Sequence, residues 1–356
     1  MRGIEQGMDV VILGASGYGG GELLRLLAGH PRLRNVVGAS RQHVGKDIGT
    51  VHPNLRGLVR GAFVESPDWA LLAASDCPVL FAAMPHGEFA RQLPRLELEW
   101  HAAGLSERLT VIDLSGDFRL ADGAGFTQSY GGEHPCVERL GSFVYGLSEW
   151  RRPQIAGARR IANPGCFATA LQLALLPLAD LGASRPTWVA VSAITGSSGS
   201  GASASDTTHH PTRANDFRAY KMLGHQHEGE VRRTLAEEGA AIEFAFVPHS
   251  APLVRGIFAT LSFRAPELSR TALREAYLAR YDSARFVRLV DGTPRVAAVV
   301  GSNFADIAVE AKAGNACVMI AIDNLVKGMA GQAVQNLNIA CGWPEDLGLA
   351  IAGAFP

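Results

Sequence analysis

No stretch of about 20 consecutive apolar residues occurs in this chain of 356, so no segment has the length that a membrane-spanning helix needs. Met1 to Gly7 is short and polar and no apolar core follows it, so we expect no secretory leader. An excess of either charge is missing as well. Lys and Arg number 33 against 34 Asp and Glu, a formal net charge of −1, which leaves no electrostatic footprint for nucleic acid or an anionic membrane. Cysteine is scarce: Cys77, Cys136, Cys166, Cys317 and Cys341 are odd in number, widely spread and free of CxxC spacing. That pattern argues against a disulfide framework and against a zinc site, and fits a reducing compartment. Repeats and low-complexity tracts are lacking too. The expectation is a soluble cytoplasmic protein whose partner is a small molecule or a small protein, with no bound metal.

What is present is apolar and rich in glycine. A hydrophobic content of 47% with 40 glycines reads as a globular α/β protein with many tight turns, and the length suits two domains. Asp9 to Leu13 is a short apolar β run, Gly14-Ala15-Ser16-Gly17-Tyr18-Gly19-Gly20-Gly21 follows, and Glu22 to Gly29 has helical spacing of leucines. Strand, Gly-rich turn and helix in that order are the context of a dinucleotide fingerprint, in which backbone N–H groups meet a pyrophosphate at a helix N-terminus. The next strand, Asn35 to Ala39, ends at Ser40-Arg41, where an NAD site would carry an acidic residue for the ribose hydroxyls. Ser40 and Arg41 suit a 2′-phosphate instead, which favours NADPH. Val79 to Ala83 and Leu109 to Leu114 are further strands, each leading into a polar turn that contains His86 or Arg119. Arg119 has two readings: it pairs an acidic substrate group, or it ties down Asp117 or Asp122.

The chemistry gathers around Asn163-Pro164-Gly165-Cys166. Pro164 and Gly165 make a turn, and the apolar run Phe167 to Leu181 has the period of a helix. Cys166 therefore falls at that helix's N-terminus, where unpaired N–H groups and the helix dipole favour a thiolate, and it is the candidate nucleophile. Trp188 to Ile194, Ile242 to Val247 and Ile257 to Phe263 read as strands of a second domain on a mixed or antiparallel sheet. The loop Thr195 to Gly201, with Ser197, is open to two readings, an anion nest or a flexible connector. His225 and His227 precede a helix predicted from Glu228 through Leu235. One of the two is expected to act as general acid/base for Cys166, and the sequence does not choose between them. Val318 to Ile322 is a last strand. The helix after it, capped by Asp323 or Asn324, has an apolar face suited to packing on the first domain.

These residues, with Gly14-Ala15-Ser16-Gly17-Tyr18, Asp113-Leu114-Ser115-Gly116-Asp117-Phe118-Arg119-Leu120, Gly224-His225-Gln226-His227, Arg255-Gly256-Ile257, Val300-Gly301-Ser302-Asn303 and Ala321 to Gly328, resemble the N-acetyl-gamma-glutamyl-phosphate reductase family. That family is related to aspartate-semialdehyde dehydrogenase. The resemblance runs nearly end to end. It implies an N-terminal Rossmann domain over 1–163, completed by a C-terminal helix within 324–356, and an α+β catalytic and oligomerisation domain over 164–323. It implies NADPH/NADP held by Gly14, Ser16, Gly17, Tyr18, Gly19, Ser40, Arg41, Gln42 and Asn324. Cys166 would attack an acyl phosphate with His225 or His227 moving protons, and Arg119, Asn163, Ser197 and Arg255 would meet the substrate.

The family divides by what blocks the substrate's amino group. One branch takes free N-acetylglutamyl phosphate for arginine synthesis, and the other takes glutamyl or aminoadipyl phosphate tethered to a small acidic amino-group carrier protein, for lysine or arginine synthesis. His52 to Gly57 and Ala204 to Lys221 look more like the carrier-linked branch. Arg56, Arg60, Arg213, Arg218 and Lys221 would suit an acidic carrier. A phosphorylating dehydrogenase running oxidatively and a nucleotide-sensing regulator on the same scaffold are the competing readings.

Overall fold

A computed structural model of the chain describes residues 7–355. Its strands are β1 (Met8–Leu13), β2 (Leu33–Ala39), β3 (Cys77–Ala82), β4 (Thr110–Asp113), β5 (Val144–Tyr145), β6 (Arg160–Ala162), β7 (Trp188–Thr195), β8 (Arg218–Ala219), β9 (Glu243–Ser250), β10 (Ile257–Arg264), β11 (Val287–Leu289), β12 (Ala305–Lys312) and β13 (Asn315–Ile322). The longer helices are α1 (Tyr18–Ala28), α2 (Glu88–Ala102), α3 (Cys166–Ala179), α4 (Glu228–Glu237), α5 (Arg270–Tyr281) and α6 (Gly331–Ala340). The chain forms two units. Among the described residues one comprises 7–127, 131–164 and 329–350, and the other 128–130, 165–328 and 351–355.

The first unit is an open sheet of six strands in the order β2-β1-β3-β4-β6-β5, every pair parallel. Strands β1 and β3 are buried along their whole length, as central parallel strands covered on both faces must be. A core of Leu80, Phe89, Leu93, Trp100, Phe118 and Phe143 packs between the sheet and α2, with Phe118 and Phe143 stacked at 4.4 Å. Helix α6 belongs to this unit although it lies at the far end of the sequence, so the Rossmann-type domain is discontinuous. Its Asn336 donates to Gly146 O at 2.8 Å and to Asn163 Oδ1 at 3.1 Å, and its Gln332 reaches Ser148 Oγ at 2.7 Å.

The second unit is a mixed sheet of seven strands in the order β11-β12-β13-β10-β7-β9-β8. Strands β7 and β9 run parallel, as do β11 and β12, and the other pairs are antiparallel. Burial alternates along β7, β9 and β10, so one face carries the core and the other carries Trp188, Ser192 and Ser262. Helix α3 is buried at every position from Phe167 to Leu178. Tyr281 Oη donates to its Leu173 carbonyl at 2.6 Å, and the Tyr277 hydroxyl donates to Ala174 O.

Candidate active site

The glycine-rich turn behaves as its sequence requires. Gly14 has φ +76°, and a Cβ there would overlap the Ala83 carbonyl and sit 3.2 Å from Met84 N, so only glycine fits between β1 and β3. The turn leads into α1, whose first N–H groups have no side-chain cap and no acidic residue in the first turn. This cradle of amides at a helix N-terminus fits a dinucleotide pyrophosphate. Ser16 Oγ and Ser40 Oγ are 2.8 Å apart, which joins the turn to the end of β2. Arg41 stands just beyond, its side chain 65% exposed and its guanidinium 3.9 Å from Glu88, and Gln42 and Tyr18 are exposed as well.

Three other positions expected at a ligand do architectural work. Arg119 is buried, and it donates from Nε to Asn163 O at 2.7 Å and from Nη2 to Leu114 O at 3.0 Å. Neither Asp117 nor Asp122 is its hydrogen-bond partner in those contacts: Asp117 accepts from the Gly87 and Ala90 amides at the start of α2, and Asp122 caps Gly125. Asn163 is buried, its Nδ2 donating to Met329 O at 3.0 Å and its Oδ1 accepting from Asn336. In the second unit the amide of Asn324 spans Ser198 Oγ, at 3.0 Å, and Gly256 N, at 2.7 Å.

Below these, Asp113 is a buried carboxyl at the end of β4, and burial together with the neighbouring Asp117 charge pushes its pKa from 3.8 up to about 7.

The second unit holds the candidate nucleophile. Helix α3 begins at Cys166 itself, with Gly165 as an extended N-cap that no side chain of its own closes. The cap comes from elsewhere: Glu230 Oε2, on α4, accepts the Gly165 N–H at 3.0 Å, and Glu230 is only 1% exposed. His227, at the N-cap of α4, lays its ring on Gly165. A Cβ at Gly165 would come within 2.6 Å of His227 Cδ2 and 2.7 Å of Cε1. From the other side Gly328 presses on the cysteine, where a Cβ would stand 2.7 Å from Cys166 Cβ. Gly328 lies in a short π-helical stretch, Val326–Ala330, a form that recurs at functional sites.

His225 is buried beside its neighbour, the two rings 4.8 Å apart and the His225 ring 5.2 Å from Phe167. Its Nδ1 accepts the His227 N–H at 3.2 Å, and its own N–H donates to Glu228 Oε1 at 3.0 Å. Burial, with a further push from the Lys221 charge, lowers its pKa to about 4, so its imidazole is neutral at ordinary pH. Tyr220 stands 6.0 Å from His225, and burial and the nearness of Cys166 push its phenol well up. Gln172, one turn and a half along α3, donates to Glu230 O and to Thr234 Oγ1, which ties α3 and α4 together beneath the site.

Two expectations change here. The loop at Ser197 is neither an anion nest nor a flexible connector. The N–H groups of Gly196, Ser197 and Ser198 donate to the carbonyls of Gly256, Leu253 and Val254, so they are committed to the chain that leads into β10. Arg255, beside that chain, pairs with the buried Asp323 at 3.2 Å. Arg213 is not part of a basic surface: it is buried, and its guanidinium donates to Ser250 Oγ, Thr195 O and Ala251 O. No group of three or more His, Cys, Asp or Glu side chains suited to a metal occurs among the described residues.

Sequence comparison agrees with this division. Residues 9–158 match the family described as the semialdehyde dehydrogenase NAD binding domain, and 166–324 match its dimerisation domain. An N-acetyl-gamma-glutamyl-phosphate reductase of Methanopyrus kandleri is 42% identical over 352 residues, covering 98% of this chain and 99% of the relative. A [LysW]-L-2-aminoadipate 6-phosphate reductase of Deinococcus radiodurans is 38% identical over 356 residues and covers 98% of each. Among solved structures, aspartate semialdehyde dehydrogenase II of Vibrio cholerae superposes with a TM-score of 0.66 at 18% identity, over 95% of this chain and 99% of that one. The Candida albicans aspartate semialdehyde dehydrogenase with NADP gives 0.60 at 14% identity, over 93% and 97%.

Proposed function

Because this chain belongs to the N-acetyl-gamma-glutamyl-phosphate reductase family, we propose that it reduces an N-blocked glutamyl or aminoadipyl phosphate to the semialdehyde through a thioester on Cys166. The observation that carries the reading is Cys166 at the start of α3, which Glu230 caps from α4, clasped between His227 on Gly165 and Gly328. Cys166 Sγ attacks the acyl carbon and the phosphate leaves, giving the thioester. Reduction turns the thioester into a thiohemiacetal, whose collapse returns the thiolate and releases the aldehyde. Bound NADPH supplies the hydride for that step. The backbone N–H groups at the start of α3 face the carbonyl oxygen as it gains charge, a contribution of about 3–4 kcal/mol per donor where measured in other enzymes. His227, against Gly165, is assigned the proton transfers. His225 braces it through Nδ1, since a buried imidazole held neutral is better suited to fixing its neighbour than to carrying a charge.

The cofactor is assigned to the amide cradle of Gly14 to Gly19, with Ser40, Arg41 and Gln42 at the 2′-phosphate. Arg119, Asn163 and Asn324 act in this reading as braces of the loops that carry the ligands, while Ser197 and Arg255 are assigned to the substrate. The function places the enzyme in arginine or lysine synthesis in the cytoplasm.

The carrier-linked substrate is favoured by one loop. Phe217, Met222 and Leu223 are 60%, 62% and 67% exposed with the exposed Lys221 among them, while Arg218 is paired with Asp216, an apolar surface with one cation suited to an acidic protein. The uncovered face of the second sheet, with Trp188 53% exposed, suits a second copy of the chain. The test is turnover in the reverse direction with NADP⁺ and phosphate, on N-acetylglutamate semialdehyde and on the carrier-linked semialdehyde. Carrier-only turnover supports the docking loop, and turnover of the small molecule alone sinks it. Cys166→Ser is expected to abolish both while leaving NADPH binding intact, and activity above a few per cent would overturn the nucleophile.

A further inference from the structure

Two of the five thiols meet in the nucleotide unit, far from the candidate nucleophile in sequence. Cys77 opens β3 and Cys341 closes the C-terminal end of α6. Their sulfur atoms are 3.7 Å apart although 264 residues separate them. That distance is van der Waals contact, and a disulfide needs the sulfurs to close to roughly 2 Å. Cys77 is 9% exposed and Cys341 is half-buried, so the pair lies at an edge that a small oxidant reaches. The exposed Arg159 sits close enough to favour negative charge on either sulfur, and Arg34 adds to this at Cys77, with Asp9 opposing. The two thiols share a hydrogen bond in which either sulfur is the donor; it lowers the pKa of Cys77 and raises that of Cys341, while burial raises both.

We propose that Cys77 and Cys341 form a reversible dithiol–disulfide site that staples the end of α6 to the first residue of β3. The exchange balances with a low-molecular-weight disulfide such as oxidised glutathione. A thiolate of the pair attacks one glutathione sulfur, forms a mixed disulfide and releases the first glutathione thiolate. The second protein sulfur gives its proton to solvent, attacks the first and expels the second glutathione thiolate. The protein gives up two electrons and two protons, and the glutathione disulfide is reduced to two thiols. The product secures the helix that carries Asn336 and Gln332, whose side chains hold Gly146, Ser148 and Asn163. Joining residues so distant in the chain restricts the unfolded state and favours the folded one.

The experiment incubates the full-length protein with excess oxidised glutathione near pH 8, alkylates the remaining thiols, and maps peptides by mass spectrometry alongside thermal melts. The expected result is a Cys77–Cys341 cross-linked peptide as the main product, a melting temperature raised by several degrees, and reversal of both by dithiothreitol. In Cys341→Ser the cross-link and the shift disappear and Cys77 carries glutathione instead. The proposal is overturned if both thiols in the native wild type stay reduced, if each ends as a glutathione adduct without a cross-link, or if the cross-link forms only in urea.

Discussion

Cys166 owes its environment to residues that are remote in sequence. The Pro164-Gly165 turn and the apolar run after it announce a helix start, and so the position of the cysteine is legible from the sequence alone. Glu230 is not. Its carboxylate reaches Gly165 N across 65 residues, and only the packing of α4 on α3 makes it the cap. The spacing His227-x-x-Glu230 was the available signal, since residues three apart share a helix face. Arg41 stands at the opposite limit, readable from its place after a strand and half free in the structure. If it meets a 2′-phosphate, Arg41→Ala should raise the KM for NADPH by tenfold or more and leave that for NADH nearly unchanged. Equal increases for the two cofactors would remove the role.

Among the elements, the central strands were plain from their apolar runs, and their observed limits differ from expectation by one to three residues. Strand β12 was not plain. Ala305–Lys312 mixes alanines with Asp306, Glu310 and Lys312, types of low β-propensity, and it forms because β13 and β11 pair with it on either side. The loop at Ser197 escaped for a similar reason: where its N–H groups go depends on residues 253–256, which no local pattern names. The same logic makes the α3–α4 pairing testable. Glu230→Ala leaves the buried Gly165 N–H without its acceptor, a cost of about 1–3 kcal/mol. Helix α3 should then start less regularly, and kcat/KM should fall by roughly tenfold to a hundredfold. Iodoacetamide should also alkylate Cys166 with a shifted pH profile, since a carboxylate beside the thiol is removed. A fall in melting temperature with an unchanged alkylation profile would make Glu230 a stability residue only.

At the scale of the whole molecule, two buried groups, one in each unit, answer pH in opposite senses. His225, in the second unit, has its folded pKa lowered to about 4 from 6.5, so the unfolded chain takes the proton first. Its share of stability is complete above pH 6.5 and is lost as pH falls toward 4, up to about 3 kcal/mol. Asp113, in the first unit, has its folded pKa raised to about 7 from 3.8, so the neutral form is the one the fold prefers. Its contribution is complete below pH 3.8 and is lost as pH rises through 7. Hydrogen exchange at pH 5 and at pH 8 should therefore show the core amides of β7 and β9 relatively weaker at the lower pH and those of β1 and β3 relatively weaker at the higher. Parallel changes in both units would contradict the assignment of these shifts.

The return of residues 329–350 to the first unit sets an order of events at the ribosome. Strands β1 to β6 emerge first, yet the helix that holds Gly146, Ser148 and Asn163 follows them by more than 160 residues. The mixed sheet around Cys166 has all its strands translated before that helix exists. The unit begun first is thus completed after every strand of the second has been made, and the nascent chain carries an unfinished nucleotide domain until that helix emerges.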